Sequence, residues 1–507
     1  MPFDSTYNQY IRKDNEDCIT IYNLLNKYFL AIEKSIAPKI NIISIYFDDI
    51  MKIMGGYVMK YNEINSPYNP PEDIYSYKVS HFPYIDYVDI KKGLDPNDKI
   101  YNKSKNISFK RRLFSQFSHL NNRKRKKVGI TYGNRKLIIQ LLRAGFGIDF
   151  LYKEDINIDH FNKQITHINL LIEEVLAEIN IPISPEPIIN LIINHINSFL
   201  DDNYDSGDLE SDIIIAGSMS ERVNIFYGTI SRIKHIPFIS VSHGEGDQIM
   251  MDEPRFGYGE RSIPTILFGY GKGGADINSN NSKYLNSLYL PPLYVSSNSD
   301  IINNIYKNES INIVNDLDSM IWMYVPDSLL YHQRRGPFGG NIPDQLYIDW
   351  GRTICNSFKS LIIKRHPKGH KLFRNKSNQD ILLSMNISKD NNVRIISDNF
   401  SYSYNQCDGY IFDHISTAFM IASATNKPII YFNIGKRNLT IEAERIVKKR
   451  CLWIDIDPNN SSEIKERVRG IQGMSFSSDL TEKYSLDVED LNMLRNQKLY
   501  NLIASKV

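Results

Sequence analysis

Residues 127–152, "KVGITYGNRKLIIQLLRAGFGIDFLY", alternate short apolar runs with glycine turns. The pattern predicts a strand at 128–132, a Gly-Asn turn, an amphipathic helix at 135–143 and a second strand at 147–152. A strand, helix and strand in close succession form the building unit of a parallel, doubly wound sheet. Helical spacing follows in "INLLIEEVLAEINI" and, past a proline-containing break, in "PIINLIINHINSFLDD". Strands resume at "DIIIAGS" (212–218) and "PFISVSHGEGDQ" (237–248), with a helix at 221–234 between them. "TILFGYGKGG" (265–274) reads as one more strand.

The Asn/Ser-rich span 275–287 and "LPPLYVSSNSD" (290–300) read as an interdomain linker, because they lack any apolar period. Beyond it a second α/β pattern begins. Its strands are expected at 320–326, 360–366, 393–397, 407–412, 427–432 and 451–456, with helices such as 344–357 and 416–425 between them. The expected fold is α/β: two tandem doubly wound, Rossmann-like domains at 127–290 and 291–507, behind a mixed, partly helical N-terminal extension at 1–126. In such an arrangement ligands bind at the carboxyl ends of the strands, in the cleft between the sheets.

Composition narrows the partners. Of 507 residues, 60 are Lys or Arg and 58 are Asp or Glu, a net charge of +2. No global field attracts a nucleic acid, so any anion must be met by a local patch. Two local patches exist, "KRR" (110–112) and "RKRKK" (123–127). They read either as solvated surface or as contact with anionic lipid head groups. The four cysteines, Cys18, Cys355, Cys407 and Cys451, form no CxxC pair and read as reduced thiols. The N-terminus lacks the apolar core of a signal peptide, and no apolar run reaches membrane-spanning length. A cytoplasmic protein is expected, with peripheral contact at the inner face of the plasma membrane through the basic clusters at 110–127.

Four stretches carry candidate chemistry. "VSHGEGDQ" places His243, Glu245 and Asp247 just after a strand, spaced by glycines. It is either a polar turn or a general-base site. "YHQRRGPFGG" pairs Arg334 and Arg335 with glycines, as a basic surface loop or a phosphate-holding one; neither GxxxxGK[ST] nor GxGxxG occurs in it. "SLIIKRHPKGH" ends a strand in Lys364, Arg365 and His366, and Pro367 suits the first turn of a helix whose open N–H groups accept an anion. In "DHISTAF", Ser416 and Thr417 open an apolar helix, as an N-cap or as a phosphate cradle.

Taken together, strand-KRHP-helix, strand-DHIST-helix and "KPIIYF" in one α/β domain resemble two-domain bacterial glycosyltransferases of the GT-B fold. The likeness is to families using cytidine-nucleotide donors: capsule Kdo and sialic-acid transferases, and CDP-glycerol glycerophosphotransferase-like proteins. It covers about residues 128–275 and 318–456, with "HGEGD" standing for "HGTP" and "DHISTAF" for "DYSS". The resemblance implies an inverting, metal-independent glycosyltransferase that needs no cofactor and takes a CMP-linked sugar as its donor. It implies transfer of Kdo, sialic acid or a related nonulosonic acid to a surface glycan or glycolipid acceptor, in capsule or lipopolysaccharide synthesis. His366, Pro367, Lys364, Arg365, Ser416, Thr417, Arg334 and Arg335 would hold the donor, and Glu245, His243 or Asp247 would supply the base. Two alternatives stand beside it: polyol-phosphate transfer from a CDP-alditol, and a non-catalytic glycan- or nucleotide-binding module.

Overall fold

The computed structural model describes residues 126–131, 145–151, 161–180, 209–217, 234–242, 264–280, 293–297, 300–306, 317–327, 344–365, 392–435, 439–458, 464–472 and 476–486, with scattered positions between them. The expected N-terminal extension lies outside them, apart from Leu24, Met54 and Lys126. Among the described residues, no helix is long and apolar enough to cross a membrane.

Two six-stranded sheets carry the structure, and every pairing in them is parallel. The first contains β1 (Lys127–Ile130), β2 (Gly147–Phe150), β3 (Ile213–Ala216), β4 (Phe238–Val241), β5 (Ile266–Tyr270) and β6 (Leu293–Ser297), in the order β2-β1-β3-β4-β5-β6. Helix α1 (Phe161–Glu178) lies between β2 and β3 in the chain, α2 (Gly271–Asn280) between β5 and β6, and α3 (Asp300–Tyr306) follows β6.

The second sheet contains β7 (Trp322–Tyr324), β8 (Ser360–Lys364), β9 (Asn392–Ile396), β10 (Gly409–Phe412), β11 (Ile429–Asn433) and β12 (Leu452–Asp455). Their order, β9-β8-β7-β10-β11-β12, runs outward from β7 in one direction and then from β10 in the other. That reversal puts the topological switch point between β7 and β10, where open α/β sheets leave a crevice. Connecting helices are α4 (Asp344–Ser357), α5 (Phe400–Ser403), α6 (Thr417–Ser423) and α7 (Ile441–Arg450). Helices α8 (Ile464–Val468) and α9 (Asp479–Tyr484) follow β12.

The apolar runs of this sheet are buried on both sides, as parallel strands require. Successive residues fall into two separate cores. Met323, Ile362, Tyr410, Phe412, Ile429 and Tyr431 pack on one face with α6, α7 and α9. Trp322, Tyr324, Leu361, Ile363, Ile411, Ile430 and Phe432 pack on the other, under Tyr347, Trp350 and Ile354 of α4. The period-2 alternation of side chains explains the split.

Three sequence expectations need correction. The expected boundary at 290 is too early, because β6 pairs with β5 and closes the first sheet. The strand expected at 265–274 ends at Tyr270, and α2 starts at Gly271, where a φ of +62° turns the chain. The span read as a linker from 275 is therefore helical as far as Asn280. Polar composition hid this helix, which is held by packing on β5, β6 and α9 instead of by propensity.

The chain's two halves interlock. Helix α9, near the C-terminus, returns to lie on α2, and a Cβ at Gly271 would sit 2.4 Å from the Lys483 carbonyl oxygen. At Gly273 a Cβ would sit 2.6 Å from the Tyr484 ring. Ile249, beyond β4, is fully buried in the core of the second sheet, and its carbonyl accepts from the Thr440 amide at 3.1 Å. Gly271→Ala combines a left-handed backbone with a backbone clash, so it is expected to destabilise the fold by at least about 2 kcal/mol. The change in thermal midpoint against wild type checks it.

Candidate functional site

The switch point of the second sheet is built around one carboxylate. Asp413 follows β10 directly, and its side chain is fully enclosed. Each of its oxygens takes two donors. Oδ2 accepts from the Tyr324 hydroxyl at 2.6 Å and the Trp350 indole N–H at 3.1 Å. Oδ1 accepts from the Tyr347 hydroxyl at 2.9 Å and from Nδ1 of His414 at 3.1 Å. A carboxylate offers about four lone-pair sites, so the set is complete. Tyr324 ends β7, so this carboxylate ties the ends of the two strands that border the crevice.

Burial, and after it the negative charge of Asp413, raises both tyrosines well above the ordinary phenol range. They therefore remain protonated donors. The Tyr347 hydroxyl in turn accepts from the Asp327 amide at 2.7 Å, fixing the chain just beyond β7.

On the other side of β7, β8 ends in Lys364, which is 3% exposed. Its ammonium donates to the Arg365 carbonyl at 2.6 Å. Burial pushes this lysine down to about 8, against a weak opposing pull from Asp398. Arg365 is half-buried, its amide bound to the Ile396 carbonyl at 2.8 Å, and burial also lowers its pKa. A lysine buried in this way is poised for an anion, since burial penalises its charge.

Ser416 stands at the N-cap of α6 in extended conformation (φ −152°, ψ 174°), yet its side chain makes no capping bond. Its Oγ is enclosed without a partner among the described residues. The capping role that usually explains a serine there is thus unfilled. Thr417 is the first helical residue and is exposed. The helix is locked from its other end by Arg450. This buried guanidinium donates to the carbonyls of Ser423 (2.9 Å), Ala422 (3.3 Å), Thr425 (2.6 Å) and Lys427 (3.1 Å). A cation at a helix C-terminus also complements its dipole.

The structure thus brings Lys364, Arg365, Ser416 and Thr417 to one edge of the second sheet, on either side of β7. His366, Pro367, Arg334, Arg335, His243, Glu245 and Asp247 lie outside the described residues. Described residues flank the 243–247 stretch of sequence on both sides. Ser242 is buried and its amide is bound to the Phe268 carbonyl at 2.9 Å. Ile249, on the far side, is seated in the second core beside Thr440, the N-cap of α7. Ile249, downstream of β4, therefore meets Thr440, downstream of β11.

Asp413, His414 and their tyrosine and tryptophan donors were not among the sequence candidates. Only the adjacency "DH" at a strand end hinted at them. Lys127, counted within a basic cluster, instead starts β1; its ammonium pairs with Glu210 and its amide with Asp212 at 2.6 Å. Burial pushes the thiols of Cys355, Cys407 and Cys451 up to about 12, which leaves them protonated and unreactive.

No family model and no curated protein matches the chain in sequence. Among solved structures it is similar to Anabaena Alr3699/HepE in complex with UDP and glucose, at 12% identity over 78% of this chain and 95% of that one, with a TM-score of 0.37. It is similar to Acinetobacter baumannii MurG at 8% identity over 75% and 99% of the two chains, with a TM-score of 0.34. For the apo form of the lipopolysaccharide outer core galactosyltransferase WaaB the values are 9%, 75%, 100% and 0.37.

Two outcomes follow from the geometry. Arg450→Met keeps the apolar stem but strands the carbonyls of the α6 C-terminus, and is expected to cost about 3 kcal/mol in urea denaturation. For Lys364 the folded chain holds its proton less tightly than the unfolded one, whose lysine titrates near 10.5. Its penalty is fully present below about pH 8 and is relieved as pH rises towards 10.5. Lys364→Met should therefore be the more stable protein at pH 7, and its advantage over wild type should shrink through that window.

Proposed function

We propose that the chain is a glycosyltransferase that moves Kdo, sialic acid or a related nonulosonic acid from a CMP-activated donor, with inversion and without a metal ion. The observation that carries this reading is the set of groups gathered at the carboxyl edge of the second sheet. That edge presents a buried lysine, an arginine and an orphaned serine hydroxyl on either side of β7. In this reading His243, Glu245 and Asp247, which stand in the sequence between β4 and Ile249, would supply the base beside it.

The chemistry assigns a role to each group. An acceptor hydroxyl loses its proton to His243, Glu245 or Asp247 and attacks the anomeric carbon from the face opposite the nucleotide. The glycosyl–oxygen bond breaks, and its electron pair stays on the phosphate oxygen of the departing nucleotide. Lys364, Arg365, His366, Arg334 and Arg335 supply positive charge to that phosphate, with the Ser416 and Thr417 hydroxyls as donors. Fixed cations of this kind do the work that a divalent ion does elsewhere, and Pro367 belongs to the same donor-binding stretch of sequence.

The acceptor in this reading is a surface glycan or glycolipid of capsule or lipopolysaccharide synthesis, reached from the cytoplasmic side. Basic residues at 110–112 and 123–126 would hold the protein against the anionic inner leaflet.

The test is a thermal-shift series with CMP, CDP, UDP and ADP, followed by assay of CMP release from CMP-Kdo, CMP-sialic acids and CDP-glycerol. CMP or CDP at about a hundredfold over its Kd should add about 2.7 kcal/mol, several degrees in midpoint. Lys364→Met should weaken that binding at least about tenfold. Stabilisation by UDP alone overturns the cytidine donor, and CMP release from CDP-glycerol alone assigns phosphoryl transfer. Stabilisation by a nucleotide with no release from any donor leaves a binding module.

A further inference from the structure

The crevice at the switch point holds a second charged device that none of the donor residues above accounts for. Asp413 is a full negative charge in the interior, and three of its four partners, Tyr324, Tyr347 and Trp350, are neutral donors. The fourth, His414, is the one partner able to take up a charge of its own. Because an ionised carboxylate only accepts, its bond to Nδ1 assigns the ring proton there and leaves a lone pair on Nε2. His414 is 5% exposed, and Nε2 has no hydrogen-bond partner among the described residues. It stands at the carboxyl end of β10, two positions before the orphaned hydroxyl of Ser416.

We propose that Asp413 and His414 form a dyad in which Nε2 of His414 binds a phosphate oxygen of the donor and, as imidazolium, stabilises the charge left there when the glycosyl–oxygen bond breaks. The proposal rests on the nucleotide-donor reading above and adds to it a catalytic group, His414, and a positioning residue, Asp413. A phosphate approaching Nε2 repels a lone pair and attracts an N–H, so binding draws one proton from solvent onto the ring. Asp413, bound at Nδ1, holds the ring in the orientation that turns Nε2 to the ligand. In the transfer step no proton need leave Nε2. The electron pair of the broken bond settles on the phosphate oxygen, and the N–H donates to it. Among the described residues, the ionisable groups that bond Asp413 from other elements are Tyr324 from β7 and Tyr347 from α4, with Asp327 behind Tyr347 and the Cys355 thiol near Tyr324. Both tyrosines are protonated donors, so neither competes for the new charge.

The test titrates CMP, CDP, UDP and inorganic pyrophosphate into the full chain carrying nitrogen-15 histidine, with His414→Gln and Asp413→Asn alongside. Expected is that a ligand bound by wild type converts Nε2 of His414 from bare to protonated. His414→Gln should bind that ligand at least about tenfold more weakly and slow any turnover about a hundredfold or more. Asp413→Asn should shift the unliganded ring from the Nδ1–H to the Nε2–H tautomer and abolish the ligand-dependent protonation of Nε2, the second of which a purely structural carboxylate would leave intact. If Asp413→Asn fails to fold, the Nε2 signal of wild type and the affinity of His414→Gln still decide the matter. A nucleotide that binds with Nε2 unmoved, and with unchanged affinity in His414→Gln, overturns the dyad and leaves the nucleotide reading standing. A response to pyrophosphate with no nucleotide bound supports the dyad as an anion site and overturns the nucleotide reading. Silence with all four ligands overturns both.

Discussion

A bare carboxylate in a protein interior is tolerable only when its lone pairs are filled, and filling those of Asp413 constrains most of the second sheet. Its donors come from the end of β7, from two positions on α4 and from the residue beside it. The register of β7 against β10, neighbours in the sheet that are not consecutive in the chain, is thereby fixed. The pose of α4 is fixed as well, because Tyr347 and Trp350 lie three apart on one helical face. Removing any single donor would leave the others to carry a charge that water cannot reach.

Around that point, rigidity and reactivity are separated by position. Arg450 spends its cationic charge on backbone carbonyls at the rear of α6, so it is structural. Lys364 has a single carbonyl at the front of β8, and its charge is destabilised where it sits. Two buried cations on neighbouring elements thus do opposite things. One closes an account of backbone acceptors, and the other leaves room for an anion.

The strands were legible in the sequence because an apolar run buried on two faces needs no partner to be recognised. All six strands of the second sheet fall inside the runs read from "MIWMYVP" to "CLWIDI" or within a residue of them. Lys364, Arg365 and Ser416 were legible too, since strand ends and helix starts can be placed from pattern alone. What pattern could not reveal was the company a side chain keeps. The donors of Asp413 stand 63 to 89 positions upstream, apart from its neighbour His414. The polar helix α2 and the late strand β6 were missed for a related reason, as tertiary packing overrode weak local preference.

The seat of Ile249 beside Thr440 bears on how the molecule can be assembled. The core that covers one face of the second sheet draws one side chain from beyond β4, two more from α3, and closes under α9 near the chain's end. That face cannot be completed by residues 318–456 alone, nor by any piece starting after the first sheet. During synthesis the first sheet would emerge with α2 uncovered and Ile249 unhoused until the last helix arrives. The molecule is two sheets by topology and a single cooperative body by folding, and contacts of such long range set the pace of its formation.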